Sequence, residues 1–306
     1  MSSKKPILIT GSHRSGSTWV GKILATSPSV RYIPEPFNIN HPRCSCGCNF
    51  NVWYQYISQD NEAIFYDHLK HTLGLSYDFG VLKIVNTPNP TLKRLMKSSK
   101  LLLRNILGIR PLVKDPIAFF SAEWLAKKFN MDVVVLIRHP AAFASSLKRL
   151  NWKFPFSHFL EQPLLMKVHL QPFEDEIKKH AAQEYDIIEQ ASLLWKIIHY
   201  WIGEHQKHHP DWIFIRHEDI SRDPLGIFKK LFMQLNLNYT EKSEEIIKEY
   251  CYNYHDRNKN EYVDEMKRDS QSNIWAWKER LNFSEIEQIK NQVECVSSKF
   301  YSDEDW

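Results

Sequence analysis

The residues best suited to chemistry cluster in ILITGSHRSGST, residues 7–18, where Gly11 and Gly16 bracket a short polar loop. Glycine at those two places allows backbone angles that other residues avoid, so the peptide N–H groups between them can converge on an anion. The helix expected to follow adds its positive end. The spacing is that of a nucleotide-triphosphate loop, but Ser17 and Thr18 stand where such a loop carries Lys and then Ser or Thr. Arg14 is the fixed positive charge inside it. The pattern predicts an anion site built for something other than ATP with magnesium.

Two further residues lie where the same crevice would receive them. Glu35 sits between Pro34 and Pro36 just past the apolar run Val30 to Ile33, and the prolines restrict the backbone around one carboxylate. At the carboxyl end of a strand it would face the loop as a general base; the plainer alternative is a solvated loop glutamate. Arg138 ends MDVVVLI, residues 131–137, the strongest strand pattern in the chain. A magnesium-dependent phosphotransferase would end such a strand with aspartate, and here it delivers a cation. The helix expected over 141–150 places Ser145 and Ser146 on its second turn.

The elements that must position these groups are strands at the loop's own 7–10, at 30–33, 111–114, 131–137 and 212–216, with helices between them. That alternation predicts an α/β fold of the P-loop type, three layers with a central parallel sheet flanked by helices. Residues 1–306 read as a single domain, with acceptor-side insertions around 38–110 and 151–180. Helices are expected over 118–129, 184–208, 243–252 and 284–299, and one that starts after Ser221, Arg222, Asp223, Pro224. Phe65, Leu69 and Leu73 form a helical stripe that reads as core. The irregular stretch 151–173, rich in Pro, Phe, Trp and His, has the length of a lid or substrate loop.

Three clusters lie outside that frame. Cys44, Cys46 and Cys48, with His41 nearby, are spaced more closely than zinc-binding pairs and read as reduced thiols or a metal site. His205, His208 and His209 at a helix end could bind a metal, although the helix dipole also favours histidine there. From Ile84 to Val113 there is no acidic residue, and Lys93, Arg94, Lys97, Lys100, Arg104 and Arg110 alternate with leucines and isoleucine. A basic amphipathic helix there, over 91–110, would either pack on the core or touch a membrane surface peripherally.

The composition, 43% hydrophobic and 25% charged, is that of a globular enzyme, and 17 Phe, 13 Tyr and 10 Trp favour ring-lined cavities. A net charge of +4 suits anionic ligands without the concentrated basic face of a nucleic-acid binder. With no apolar run of about 20 residues, no long apolar start and an odd count of five cysteines, cytoplasmic residence is expected, with the inner membrane surface as an option.

Three separated motifs resemble one family, the sulfotransferases that use 3'-phosphoadenosine 5'-phosphosulfate (PAPS). GSHRSGSTW resembles the family's 5'-phosphosulfate loop, with Arg14 at its basic position. VVVLIRHPAAFASSL resembles the 3'-phosphate motif, which implies that Arg138 and Ser146 bind that phosphate. IFIRHEDISRDP and WKERL resemble the later signature, and the Glu-Pro after the second strand is closest to the carbohydrate-type and related bacterial members.

The resemblance implies PAPS as donor, its bisphosphate PAP as product, and no metal. The donor residues would be Arg14, Ser15, Gly16, Ser17, Thr18, Trp19 stacked on adenine, Arg138 and Ser146, with Arg268 as substitute for a missing C-terminal basic loop. Glu35 and Arg14 would be catalytic, the acceptor a hydroxyl of a glycan, lipid or other small molecule. A P-loop small-molecule kinase and a non-catalytic nucleotide-binding or membrane-surface protein are the alternatives.

Overall fold

The computed structural model describes residues 5–40, 48, 50–74, 108–252 and 274–306. Five strands, β1 (Ile7–Gly11), β2 (Val30–Pro34), β3 (Arg110–Lys114), β4 (Asp132–Ile137) and β5 (Ile213–Arg216), form one sheet in the order β2-β3-β1-β4-β5. Every pairing is parallel. The inner strands are apolar runs without polar alternation because both sheet faces are covered. Along β1 successive side chains go to opposite faces: Leu8 joins a larger core with Val113, Val133 and Val135, while Ile7 and Ile9 join a smaller one with Leu112, Val134 and Leu136. The α/β architecture expected from the sequence, a parallel sheet between two helical layers, is what the chain forms.

Helix α1 (Ser17–Leu24) follows β1 and packs Val20, Ile23 and Leu24 into the smaller core. In α2 (Tyr66–Leu73), Leu69 and Leu73 join Phe65 in the larger core as their spacing predicts. Asp115 accepts from the Ile117 N–H and Pro116 follows it, so the chain after β3 enters a 3₁₀ turn over Pro116–Ser121 before α3 (Ala122–Phe129). Helix α4 (Pro140–Leu150) leaves β4, and α5 (Ile187–His208) starts where the Asp186 carboxylate accepts from the N–H groups of Ile188 and Glu189. After β5 come α6 (His217–Arg222), α7 (Pro224–Gln234), capped by the Asp223 carboxylate on the Gly226 N–H, α8 (Glu241–Tyr252) and α9 (Phe283–Ser297).

The stretch 151–173 departs from the lid loop that its composition suggests. It folds into short helical turns, Ser157–Leu160 and Pro163–Leu165 among them, and buries Phe156, Phe159, Leu165 and Leu170. The Gln162 side chain ties it down by accepting from the Tyr56 N–H at 2.8 Å and donating to the His158 carbonyl at 3.0 Å. Arg110 also departs: rather than extending an exposed basic face, it is buried in β3 and paired with Asp132 at 2.6 Å. The rest of the basic stretch, residues 84–107, lies outside the described residues, as do His41, Cys44, Cys46 and Arg268; Cys48 is buried with its Sγ 4.0 Å from the Phe65 carbonyl. No described helix is long and apolar enough to cross a membrane.

Burial also fixes the charge state of several imidazoles. His13, His139 and His199 are buried, and removal from water lowers each to about 3. In the unfolded chain they protonate near the ordinary 6.5, so between about 6.5 and 3 the unfolded state holds the extra protons and stability falls as pH falls. The thermal unfolding midpoint is therefore expected to drop steadily below about pH 6.5, each buried imidazole adding up to ~1.4 kcal/mol per pH unit. A midpoint that stays level from pH 7 to pH 4.5 would contradict this assignment.

Candidate active site

Strand register brings the chemistry to one edge of the sheet. Gly11 pairs with Leu136, Pro34 with Lys114, and Ile137 with Arg216. The residues that come next, Ser12, Glu35, Asp115, Arg138 and His217, therefore emerge together from the carboxyl ends, around the strand where the winding of the sheet reverses.

The loop is shaped by two close approaches. Gly11 has φ 128° and a Cβ there would lie 2.3 Å from the Leu136 carbonyl oxygen; Gly16 has φ 89° and its Cβ would lie 2.5 Å from His217 Nδ1. Both positions exclude a side chain on space and on backbone angle. Gly16 is the cap of α1, and Val20 N is the first to bond back, to the Gly16 carbonyl at 3.1 Å. The N–H groups of Ser17, Thr18 and Trp19 are left for a ligand by helix geometry. Arg14 also has a positive φ, 60°, and its Nε donates to Ser146 Oγ at 3.0 Å, joining the loop to α4.

A cavity of about 390 Å³ opens over this edge, within the range of small-ligand sites. Arg14, Gly16, Ser17, Thr18, Trp19, Glu35, Arg138 and Ser146, all drawn from the sequence as candidates, line it. Ser15 is fully buried in the loop instead. Trp19 lines the cavity while its ring meets His217 and Phe228 edge-on at 5.5 and 5.4 Å, so it is also part of the core packing. Arg149 at the end of α4, Tyr250 of α8 and Arg280 line the cavity without having been anticipated. Arg280 belongs to the WKERL motif, whereas Arg268, the expected substitute for the C-terminal basic loop, lies outside the described residues. Among the described lining residues there are four arginines and one carboxylate, that of Glu35, a field suited to a polyanion.

The two ends of the cavity are held differently. Arg138 faces Glu218, whose Oε1 is 3.6 Å from the Arg138 Nε. The same buried carboxylate accepts from the His139 N–H at 3.1 Å and from the Tyr301 hydroxyl at 3.0 Å. Glu218 was not singled out in the sequence, although it sits inside the RHED that ends β5. Across the cavity, Glu35 has φ 38°, its N–H donates to the Lys114 carbonyl at 2.8 Å, Lys114 Nζ pairs with its Oε1, and Asn38 Nδ2 donates to its Oε2 at 2.6 Å.

Two other titratable groups are held by the scaffold nearby, and His13 itself lines the cavity. His13 bonds Tyr54 at 2.7 Å and packs on Trp152; burial first, and the Arg14 charge second, keep it neutral at pH 7. Asp115 is fully buried, with Oδ2 accepting from the Phe37 N–H at 2.6 Å and Oδ1 from the Ile117 N–H at 3.0 Å. Burial raises it to about 7 despite those bonds. Its bond to Phe37 fixes the turn that carries Glu35.

Fold and cavity together define a parallel α/β protein with a loop-and-arginine site for a polyanionic ligand. Residues 6–241 match the model of the sulfotransferase family. The chain belongs to that family, as its motifs suggested. No curated protein matches the sequence. Among solved structures it is similar to the sulfotransferase domain of a Synechococcus olefin synthase, at 15% identity over 99% of this chain and 98% of that one, TM-score 0.49. It is also similar to a mouse sulfotransferase complexed with PAP, at 12% identity over 99% and 87%, TM-score 0.48. A sulfotransferase from Mycobacterium avium is similar at 14% identity over 98% and 78%, TM-score 0.44.

Asp115→Asn would keep one acceptor and replace the other by a donor facing an N–H. The expected outcome is a loss of ~1 to 3 kcal/mol in stability and a slowed turnover with donor affinity nearly unchanged, because the displaced turn carries Glu35 and not the arginines. Equal losses in both, read by steady-state kinetics and calorimetry, would contradict the role of Asp115 as holder of that turn.

Proposed function

We propose that this protein transfers a sulfuryl group from PAPS to a hydroxyl of a small molecule, lipid or glycan. The observation that carries the reading is the convergence, on one cavity, of four arginines, the hydroxyls of Ser17, Thr18 and Ser146, and, among the described lining residues, the single carboxylate of Glu35. Arg138 and Ser146 would hold the 3'-phosphate, with Arg149 and Arg280 at the rim. Arg14, the free N–H groups of α1 and the hydroxyls of Ser17 and Thr18 would hold the 5' end. Trp19 offers its exposed side to the base. The fit is supported by arginine-rich walls, by a glycine pair that lets backbone N–H groups reach an anion, and by a volume suited to a nucleotide.

PAPS supplies an activated sulfuryl group whose in-line transfer passes through a loose transition state, comparable to phosphoryl transfer. The chain's task is then electrostatic and positional. Arg14 and the loop N–H groups stabilise the charge that grows on the departing phosphate oxygen. Glu35, aimed by Lys114 and Asn38, accepts the proton of the acceptor hydroxyl. Four arginines among the described lining residues would meet the donor's charge, and the proposed transfer is drawn without a divalent ion. Asn38 and Trp152 also line the cavity, which supports an acceptor side built from the segments 38–110 and 151–180 of a single domain.

The test is sulfuryl transfer from labelled PAPS to a panel of glycans, lipids and small alcohols in the presence of a chelator. Wild-type protein should label at least one acceptor class, and Glu35→Gln should retain PAP binding while losing ~100-fold or more in turnover. Transfer from ATP with magnesium but none from PAPS would overturn the reading in favour of a kinase. Near-normal turnover in Glu35→Gln would remove the base from that residue.

A further inference from the structure

A second cluster of ligating side chains lies away from the donor cavity and shares no residue with it. Glu123, in the first turn of α3, meets His205 and His209 at the end of α5, and one donor atom from each of the three lies within 4.8 Å of the others. The Glu123 Oε1 is 2.6 Å from His209 Nε2 and 3.7 Å from His205 Nδ1. The two histidines are four residues apart, His209 being the C-cap of the helix that holds His205; the His209 N–H donates to the His205 carbonyl at 2.8 Å, and the two ring centroids are 5.5 Å apart.

Both rings are also held. His209 stacks on Trp212 at 4.2 Å and 14°, and buried His205 meets Phe119 edge-on at 5.4 Å. An ion pair would need only one imidazole; here two converge on a single carboxylate oxygen. A third, His169, is within electrostatic reach of Glu123, and its buried Nδ1 has no hydrogen-bond partner among the described residues.

From this geometry we propose that Glu123, His205 and His209 form a site for a divalent transition-metal ion, zinc foremost, that staples the end of α5 to the start of α3. Two imidazoles and one carboxylate are a donor set for zinc, with nickel, cobalt and copper as chemical competitors, and calcium and magnesium, which take oxygen donors, disfavoured. A tetrahedral zinc with bonds of about 2.0–2.2 Å needs its donors ~3.3–3.5 Å apart. The Glu123–His205 separation is close to that, and the half-exposed Glu123 side chain can withdraw from His209 to match it. A water would complete the fourth position. Binding to the folded state alone raises stability by mass action, and the sulfuryl-transfer cavity is untouched.

The experiment uses full-length protein stripped with a chelator and dialysed. Zinc chloride is titrated by calorimetry, cobalt chloride by visible absorption, and thermal unfolding is followed with and without zinc. One equivalent is expected to bind, with tetrahedral cobalt bands and a raised midpoint. Glu123→Gln and His209→Gln should each weaken binding by ~10-fold or more, His208→Gln should not, and all three should keep wild-type PAP affinity as a check that they fold. No saturable uptake by the wild type, or uptake unchanged in Glu123→Gln and His209→Gln, would overturn the proposal.

Discussion

Hydrogen-bond register between β1 and its neighbours is the constraint on which the site depends. Because Gly11 is level with Leu136, and β2 and β3 end together at Pro34 and Lys114, the loop, Glu35 and Arg138 reach the same edge without any of them being close in sequence. A one-residue slip in a parallel strand would turn each side chain to the opposite face and move Arg138 away from the loop. The apolar runs of β1 and β4, buried on both faces, are what hold that register. The close approach of Gly11 to the Leu136 carbonyl leaves no room for a side chain at the junction.

Charge is then arranged in two ways on that frame. Arginines reach the cavity on long side chains, and one of them, Arg138, is faced by Glu218, a carboxylate that also ties down His139 and Tyr301. Leaving a buried guanidinium without such a partner would be costly. The Glu35 carboxylate is set by the opposite device, a lysine and an asparagine on its two oxygens and a backbone turn held by Asp115. The imidazoles packed around the site, His13, His139 and His199, are neutral spacers whose burial makes the whole frame sensitive to acid.

Much of this was legible in the sequence because the signals are local. A glycine pair five residues apart, a Pro-Glu-Pro after a short strand and an arginine at the end of MDVVVLI each report on their own backbone, and the parallel sheet follows from their alternation with helices. What escaped was set by tertiary pairing. Stretch 151–173 looked like a loop because Pro and His break the helical period, yet its phenylalanines are spaced for burial and Gln162 locks it to residues 53–56. Arg110 looked like part of a basic face because Asp132, its partner, lies 22 residues on. Glu218 and Arg280 lie inside the motifs IFIRHEDISRDP and WKERL, but nothing local marks either as a charge of the site, and Arg149 carries no spacing signal that separates it from a surface charge. Glu123 could not be linked to His205 and His209 before the fold brought α3 and the end of α5 together.

The central claim is that one cavity holds two anion sites, one on the loop and one on Arg138 with Ser146. Calorimetry of PAP against adenosine 5'-phosphate, on the wild type and on Arg138→Ala, tests it most directly. The account predicts that the wild type binds PAP more tightly than the monophosphate, and that Arg138→Ala loses ~1.5 to 3 kcal/mol for PAP alone, the scale of a hydrogen bond to a charged group. Equal affinity of the wild type for both nucleotides, or equal losses for both in the variant, would contradict it.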